Sequence, residues 1–225
     1  MTITLITGAN KGIGFETAKQ LVELDHVVYL GARSIARGTP AAERIGARFV
    51  QLDVTDDASV GAALATIEDA EGRLDVLVNN AGVLETDLTG TAALRAFDTN
   101  AVGVVRVTEA ALPLLRRSSD PRVLTISSSA GSFWAVTTPE RPEYALAAPL
   151  YSASKAAATM LTLQYAKAHP GIRFTALEPG TTATDLTAGL GIGRPAVDSA
   201  RVVVAALAGE VPTGTLLDES GALPW

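Results

Sequence analysis

Tyr151 and Lys155 lie four residues apart, the spacing that places two side chains on one face of a helix. An ammonium held beside a phenol favours phenolate and lowers a pKa that starts near 10. Bringing that pKa towards neutrality takes about 4 kcal/mol of differential stabilisation, and a tyrosine so tuned can serve as general acid and base. Upstream, Ile126-Ser127-Ser128-Ser129-Ala130-Gly131 offers hydroxyls of the kind that stabilise negative charge building on an oxygen when hydride reaches a carbonyl carbon.

These groups need a scaffold that brings them to one place, and the N-terminus describes one. Thr7-Gly8-Ala9-Asn10-Lys11-Gly12-Ile13-Gly14 follows the apolar segment Ile3 to Ile6 and precedes Phe15 to Leu24, which has helical spacing. Strand, turn and helix follow from that order. The glycines let the backbone turn tightly and approach a pyrophosphate, whose charge is stabilised at the helix N-terminus.

Further strands are expected at His26 to Leu30, Arg48 to Leu52, Leu74 to Val78, Arg122 to Ile126, Ile172 to Leu177 and Gly214 to Leu217. Helices are expected at Asp57 to Glu71, in two pieces from about Thr91 to Arg117 with Pro113 kinking the last turns, at Leu150 to Ala168 and at Val197 to Ala208. The alternation predicts an α/β fold with a single doubly wound parallel sheet, a Rossmann fold of about seven strands with helices on both faces. One domain spans residues 1–225 in this reading. A ligand then belongs beyond the carboxyl ends of the strands, where each motif falls.

The 225 residues are 48% hydrophobic, enough for a sizeable core. A formal net charge of -6 argues against a nucleic-acid surface, which needs a basic face. Without cysteine there is no disulfide, thiolate nucleophile or cysteine-based metal site. His26 and His169 stand too far apart in sequence for ligand spacing, so no metal is expected, and both should lie on the surface at element ends. No apolar run has the length of a membrane span. Strand-like sequence begins within two residues of Met1, leaving no room for a signal peptide. A cytoplasmic protein with no membrane partner is the expectation.

In T-G-A-N-K-G-I-G (7–14), L-D-V (52–54), N-N-A-G (79–82), Asn100, I-S-S-S-A-G (126–131), Y-S-A-S-K (151–155) and P-G-T-T-A-T (179–184), the chain resembles the short-chain dehydrogenase/reductase family. The resemblance implies a catalytic set of Asn100, Ser128, Tyr151 and Lys155. Ser128 takes the family's second-serine register, with Ser129 as runner-up, and Asn100 matches an asparagine that positions a water linking Lys155 to solvent. It also implies cofactor contacts from Gly8, Asn10, Lys11, Gly12, Ile13 and Gly14, from Asp53 and Val54 at the adenine, and from Asn80, Ala81 and Gly82, with Asn80 at the adenosine ribose. Tyr151 and Lys155 would meet the nicotinamide ribose, and Pro179, Gly180, Thr182 and Thr184 the nicotinamide and its phosphates.

An NAD-selecting carboxylate belongs at the end of the second strand, where this chain has Ala32. Arg33 follows, and Lys11 lies in the glycine loop. This pair resembles family members that select NADPH/NADP by the 2'-phosphate, which arginine recognises in bidentate fashion; Arg37 is a weaker candidate.

Between Ser128 and Tyr151 the chain is longer than is usual in the family, through an insertion at about 132–149 carrying Phe133, Trp134, Tyr144 and Leu146. Its position is similar to the insertion of the monomeric carbonyl reductases. It would either wall the pocket for a hydrophobic aldehyde or ketone or pack on the domain as a surface flap, and it leaves homo-oligomer and monomer both open. A small substrate lid is expected at about 185–200. The reading is an NADPH-dependent reductase of a small-molecule carbonyl with Tyr151 as general acid. Its rivals are a non-catalytic NADP-binding sensor or scaffold, and an alcohol dehydrogenase or biosynthetic ketoreductase of the same family.

Overall fold

The computed structural model describes residues 1–188 and 191–225. Among these residues eight strands form one sheet in the order β3-β2-β1-β4-β5-β6-β7-β8. They are β1 (Ile3–Ile6), β2 (Val27–Ala32), β3 (Arg48–Gln51), β4 (Val76–Asn79), β5 (Arg122–Ile126), β6 (Arg173–Leu177), β7 (Thr215–Asp218) and β8 (Gly221–Ala222). Seven run parallel and β8 pairs antiparallel with β7. The strand order reverses between β1 and β4, the switch point at which ligands bind in such sheets.

Parallel strands covered on both faces need apolar residues in both directions, and β1 and β4 are buried throughout. Leu5, Tyr29, Leu77, Val123 and Phe174 face one core, packed by Val60 and Ile67 of α3 (Asp57–Glu71) and Leu112 and Leu115 of α5 (Gly103–Leu115). Ile6, Leu30, Val78 and Leu124 face the other, with Phe15, Ala18 and Leu21 of α1 (Gly12–Glu23) and Val203 and Leu207 of α8 (Ala196–Ala208). Helix α3 is stopped at both ends: the Asp56 carboxylate accepts from the N–H groups of Ala58 and Ser59, and Gly72 ends the helix at φ 72°.

Several expectations need correction. Helix α2 (Ile35–Ile45) occupies what the sequence leaves as a connection, because Gly38 and Pro40 mask its periodicity. Gly38 is required there, since a β-carbon would stand 2.1 Å from the Phe49 ring. The break in the long central helix falls at a π-helical turn, Asp98–Val102, between α4 (Gly90–Phe97) and α5. Pro113 sits within α5 two residues before its end. His26 and His169 lie at element ends but are half-buried, His26 bonded through Nδ1 to Thr4 Oγ1 at 2.9 Å and His169 stacked on Tyr165.

Candidate active site

The glycine loop between β1 and α1 is clamped against the end of β4. Thr7 Oγ1 accepts from the N–H groups of Asn80 and Ala81, both at 3.0 Å, and Asn80 Nδ2 donates to the carbonyls of Thr7 (2.8 Å) and Gly8 (3.2 Å). The Asn80 amide, expected at the adenosine ribose, is thus engaged in holding the loop. A β-carbon on Gly14 would lie 2.4 Å from Asn80 Nδ2 and 3.0 Å from Ala9 Cα, so only glycine permits this approach. At Gly12 the nearest neighbour is the Thr184 methyl, 3.3 Å from where a β-carbon would stand, which brings the P-G-T-T-A-T segment onto the loop.

Tyr151 and Lys155 project from α7 (Pro149–Ala168), which packs on β6 and on the Ser129–Gly131 turn that follows β5. Lys155 is fully buried; its Nζ donates to the Ile126 carbonyl at 2.7 Å and lies 5.7 Å from the Tyr151 ring centre. Gly131 lets the serine loop meet this helix, as a β-carbon there would be 2.6 Å from Ala156 N. The serines divide their tasks. Ser127 Oγ bonds the Lys155 carbonyl and Thr159 Oγ1, and Ser129 Oγ donates to Glu143 Oε1 at 2.6 Å. Ser128 accepts from Ala130 N–H and meets the Tyr151 phenol.

The direction of the Tyr151 shift corrects the sequence expectation. Burial, aided by the negative charge of Glu178, pushes the phenol up to about 12, against a hydrogen bond with Ser128 that works the other way. Burial likewise lowers Lys155 to about 8, with Glu178 opposing. In this state desolvation of the phenolate dominates, and the Lys155 Nζ is held by a backbone carbonyl.

Asn100 is buried within the π-helical turn. Its Oδ1 accepts from Val83 N–H (2.8 Å), and Nδ2 donates to the Val83 carbonyl and to Ser154 Oγ, both at 2.9 Å. Gly82 stands between it and the lysine: a β-carbon there would be 3.4 Å from Asn100 Oδ1 and 3.5 Å from Lys155 Nζ. The π-turn, frequent at functional sites, thus brings Asn100 beside the Tyr151–Lys155 pair.

At the far end of the switch point, Ala32 is buried at the tip of β2 and Arg33 is exposed. A cavity of about 400 Å³ lined by Asn10, Lys11, Arg37, Arg44 and Asp185 adjoins the glycine loop. Lys11 is paired with Asp185 across it. The Asp53 carboxylate accepts from Thr55 N–H and Oγ1, and Val54 is buried beneath Gly103. Pro179 and Gly180 lie under the Arg194 guanidinium, while Thr182 Oγ1 bonds the Gly180 carbonyl and Ser199 Oγ.

The insertion contains a short helix, α6 (Phe133–Thr137), and a 3-10 turn, Pro142–Ala145. Its Phe133 and Tyr144 are 74% and 57% exposed, while Ala135 is buried and Ser132 Oγ donates to the Pro224 carbonyl. Of the expected lid, Gly189 and Leu190 lie outside the described residues; Arg194 within it is tied to the segment before it by Ala183 N–H to Arg194 O and Arg194 N–H to Thr181 O, both 2.9 Å. Two site carboxylates escape the sequence reading. Glu143 ties the insertion to Ser129, and Glu178 ties Ser129 to Gly180. A carboxylate at the carboxyl end of a central strand was the available signal for Glu178.

With this geometry in place, comparison defines the class. The family model described as short chain dehydrogenase matches residues 2–194, and the chain belongs to that family of oxidoreductases. It is 32% identical to (-)-isopiperitenone reductase of Mentha piperita, over 81% of this chain and 85% of that protein. A short-chain dehydrogenase of Penicillium roqueforti is 31% identical over 98% of this chain and 95% of its own. Among solved structures, NADPH-bound carbonyl reductase from chicken fatty liver superposes with a TM-score of 0.88 at 26% identity, covering all of both chains. Among the described residues no helix is long and apolar enough to cross a membrane.

Proposed function

We propose that the protein is an NADPH-dependent reductase of a small hydrophobic aldehyde or ketone, with Tyr151 as general acid. The observation that carries this reading is the meeting of Ser128, Tyr151 and Lys155 at the carboxyl end of β5, with Asn100 behind them and the glycine loop at the neighbouring strand end. The glycine loop fits a dinucleotide, since its glycines let the strand-to-helix turn close against Ala81, Asn80 and Thr184 at the N-terminus of α1, where a pyrophosphate would bind. Gly8 to Gly14, Ala81, Gly82, Asp53, Val54 and Pro179 to Thr184 would hold it, and Arg33, Lys11 and Arg37 would face the 2'-phosphate. The NADPH-bound carbonyl reductase and the isopiperitenone reductase support that choice of cofactor and substrate class.

When bound, the nicotinamide would supply the hydride. Ser128 donates a hydrogen bond to the carbonyl oxygen, and Tyr151 gives that oxygen its proton as charge develops. A phenol pushed up to about 12 stays protonated through the neutral range, as an acid in the reducing direction must. Lys155 holds the site's positive charge beside the phenol, and Asn100 positions the water through which the proton is replaced. The exposed Phe133, Trp134 and Tyr144 offer apolar surface to the substrate's organic part.

NADPH absorbance followed against a panel of aldehydes, quinones and ketones, with NADH in parallel, tests the reading. Tyr151→Phe should lower turnover by about 10²- to 10⁴-fold while cofactor binding persists. Unchanged turnover in that variant removes Tyr151 from the chemistry.

A further inference from the structure

We propose that Glu178 is a positioning residue of this site: its carboxylate straps the serine loop to the Pro179–Gly180 loop and sets a fixed negative charge behind Tyr151 and Lys155. The proposal rests on the reductase reading above. It concerns a residue that lies one position past β6, where Ser127 N–H bonds the Leu177 carbonyl at 2.8 Å and so holds the ends of β5 and β6 together. From there Oε2 accepts from Ser129 N–H and Oε1 accepts from Gly180 N–H at 2.7 Å. One side chain therefore joins the loop that carries Ser128 to the loop expected beside the nicotinamide. Lys155 Nζ bonds the Ile126 carbonyl at the same β5 terminus, which places ammonium and carboxylate around one strand end.

A carboxylate in that place acts on both neighbours through charge. It disfavours phenolate at Tyr151 and favours ammonium at Lys155. The other charged groups facing it belong to nearby ion pairs. Glu143 of the insertion shares Ser129 and is neutralised by Arg141. Arg194 bonds the Pro179 carbonyl from the segment before α8 and is paired with Glu219 of the β7–β8 turn. Glu178 has no such partner among the ion pairs of the described residues, so its charge is left to act on Tyr151 and Lys155. Its effect is to keep Tyr151 proton-bearing, which suits carbonyl reduction and shifts alcohol oxidation to higher pH.

Two measurements on the full chain test the two halves. In the ligand-free protein, amide hydrogen exchange at Ser129 and Gly180 should be about tenfold faster in Glu178→Ala than in wild type, the loss of one charge-assisted bond at each N–H. Unchanged protection at both amides overturns the strap. In the NADP-dependent oxidation of the product alcohol, the pH at which kcat/KM is half-maximal should fall by about one unit in Glu178→Gln, as removal of one nearby charge dictates. Glu178→Asp, which keeps the charge, should leave that midpoint within the wild-type range. A midpoint unmoved in the glutamine variant overturns the electrostatic role. Absence of any reductase activity in wild type would instead strike the functional reading, and the exchange measurement would still decide the strap.

Discussion

Burying Lys155 carries a cost that pH can reveal. Its pKa is lowered from 10.5 to about 8 by desolvation, a gap of about 2.5 units worth roughly 3 kcal/mol. Below pH 8 the amine is charged in both the folded and unfolded chain, so the full penalty weakens the fold. Between pH 8 and 10.5 the folded protein gives up its proton first, the unfolded chain binds more protons, and stability rises; above 10.5 the penalty is gone. Lys155→Met removes the charge at similar length. Urea unfolding of both proteins at pH 7 and pH 10 should show wild type gaining roughly 2–3 kcal/mol relative to the variant on going to the higher pH. Taking the difference between proteins cancels other titrations and the loss of the bond to the Ile126 carbonyl. Stabilities that change in parallel would refute the claim that the fold confines this amine away from water.

Other substitutions probe the loop and the cofactor end. Arg33→Ala should raise the NADPH Kd by about tenfold or more, the worth of a charge-assisted phosphate contact, and leave the NADH Kd nearly unchanged; equal losses in fluorescence titrations would reject the phosphate assignment. Gly14→Ala forces a methyl against Asn80 and Ala9 and should destabilise the fold by about 1–3 kcal/mol, seen as a lower urea midpoint together with weaker cofactor binding.

The fold was legible because its signals were local. β1, α3 and β5 are uninterrupted apolar or periodic runs with clear stops, and their bounds in the sequence agree with the structure. Helix α2 was not, since Gly38 and Pro40 read as breakers until the Phe49 ring explains the glycine. Nor was β8, whose two residues carry no periodicity and pair only because β7 offers an edge. In the site, motif spacing named the residues, but the electrostatic balance depended on contacts from distant segments. Lys155 and Tyr151 are four residues apart, yet Glu178, which follows a different strand, acts on both. Asn100 was named by the family resemblance, whereas the π-turn that carries it and its bonds to Val83 and Ser154 come from tertiary packing.

The antiparallel addition of β8 also changes what the sheet presents at that edge. An open sheet exposes unpaired main-chain groups on its last strand, an invitation to a neighbouring chain. Here the polypeptide turns back on itself, satisfies β7 with Gly221 and Ala222, and buries Leu223 beside Leu216. What faces outward on that flank is a strand of two residues, a shorter edge than β7 alone would offer.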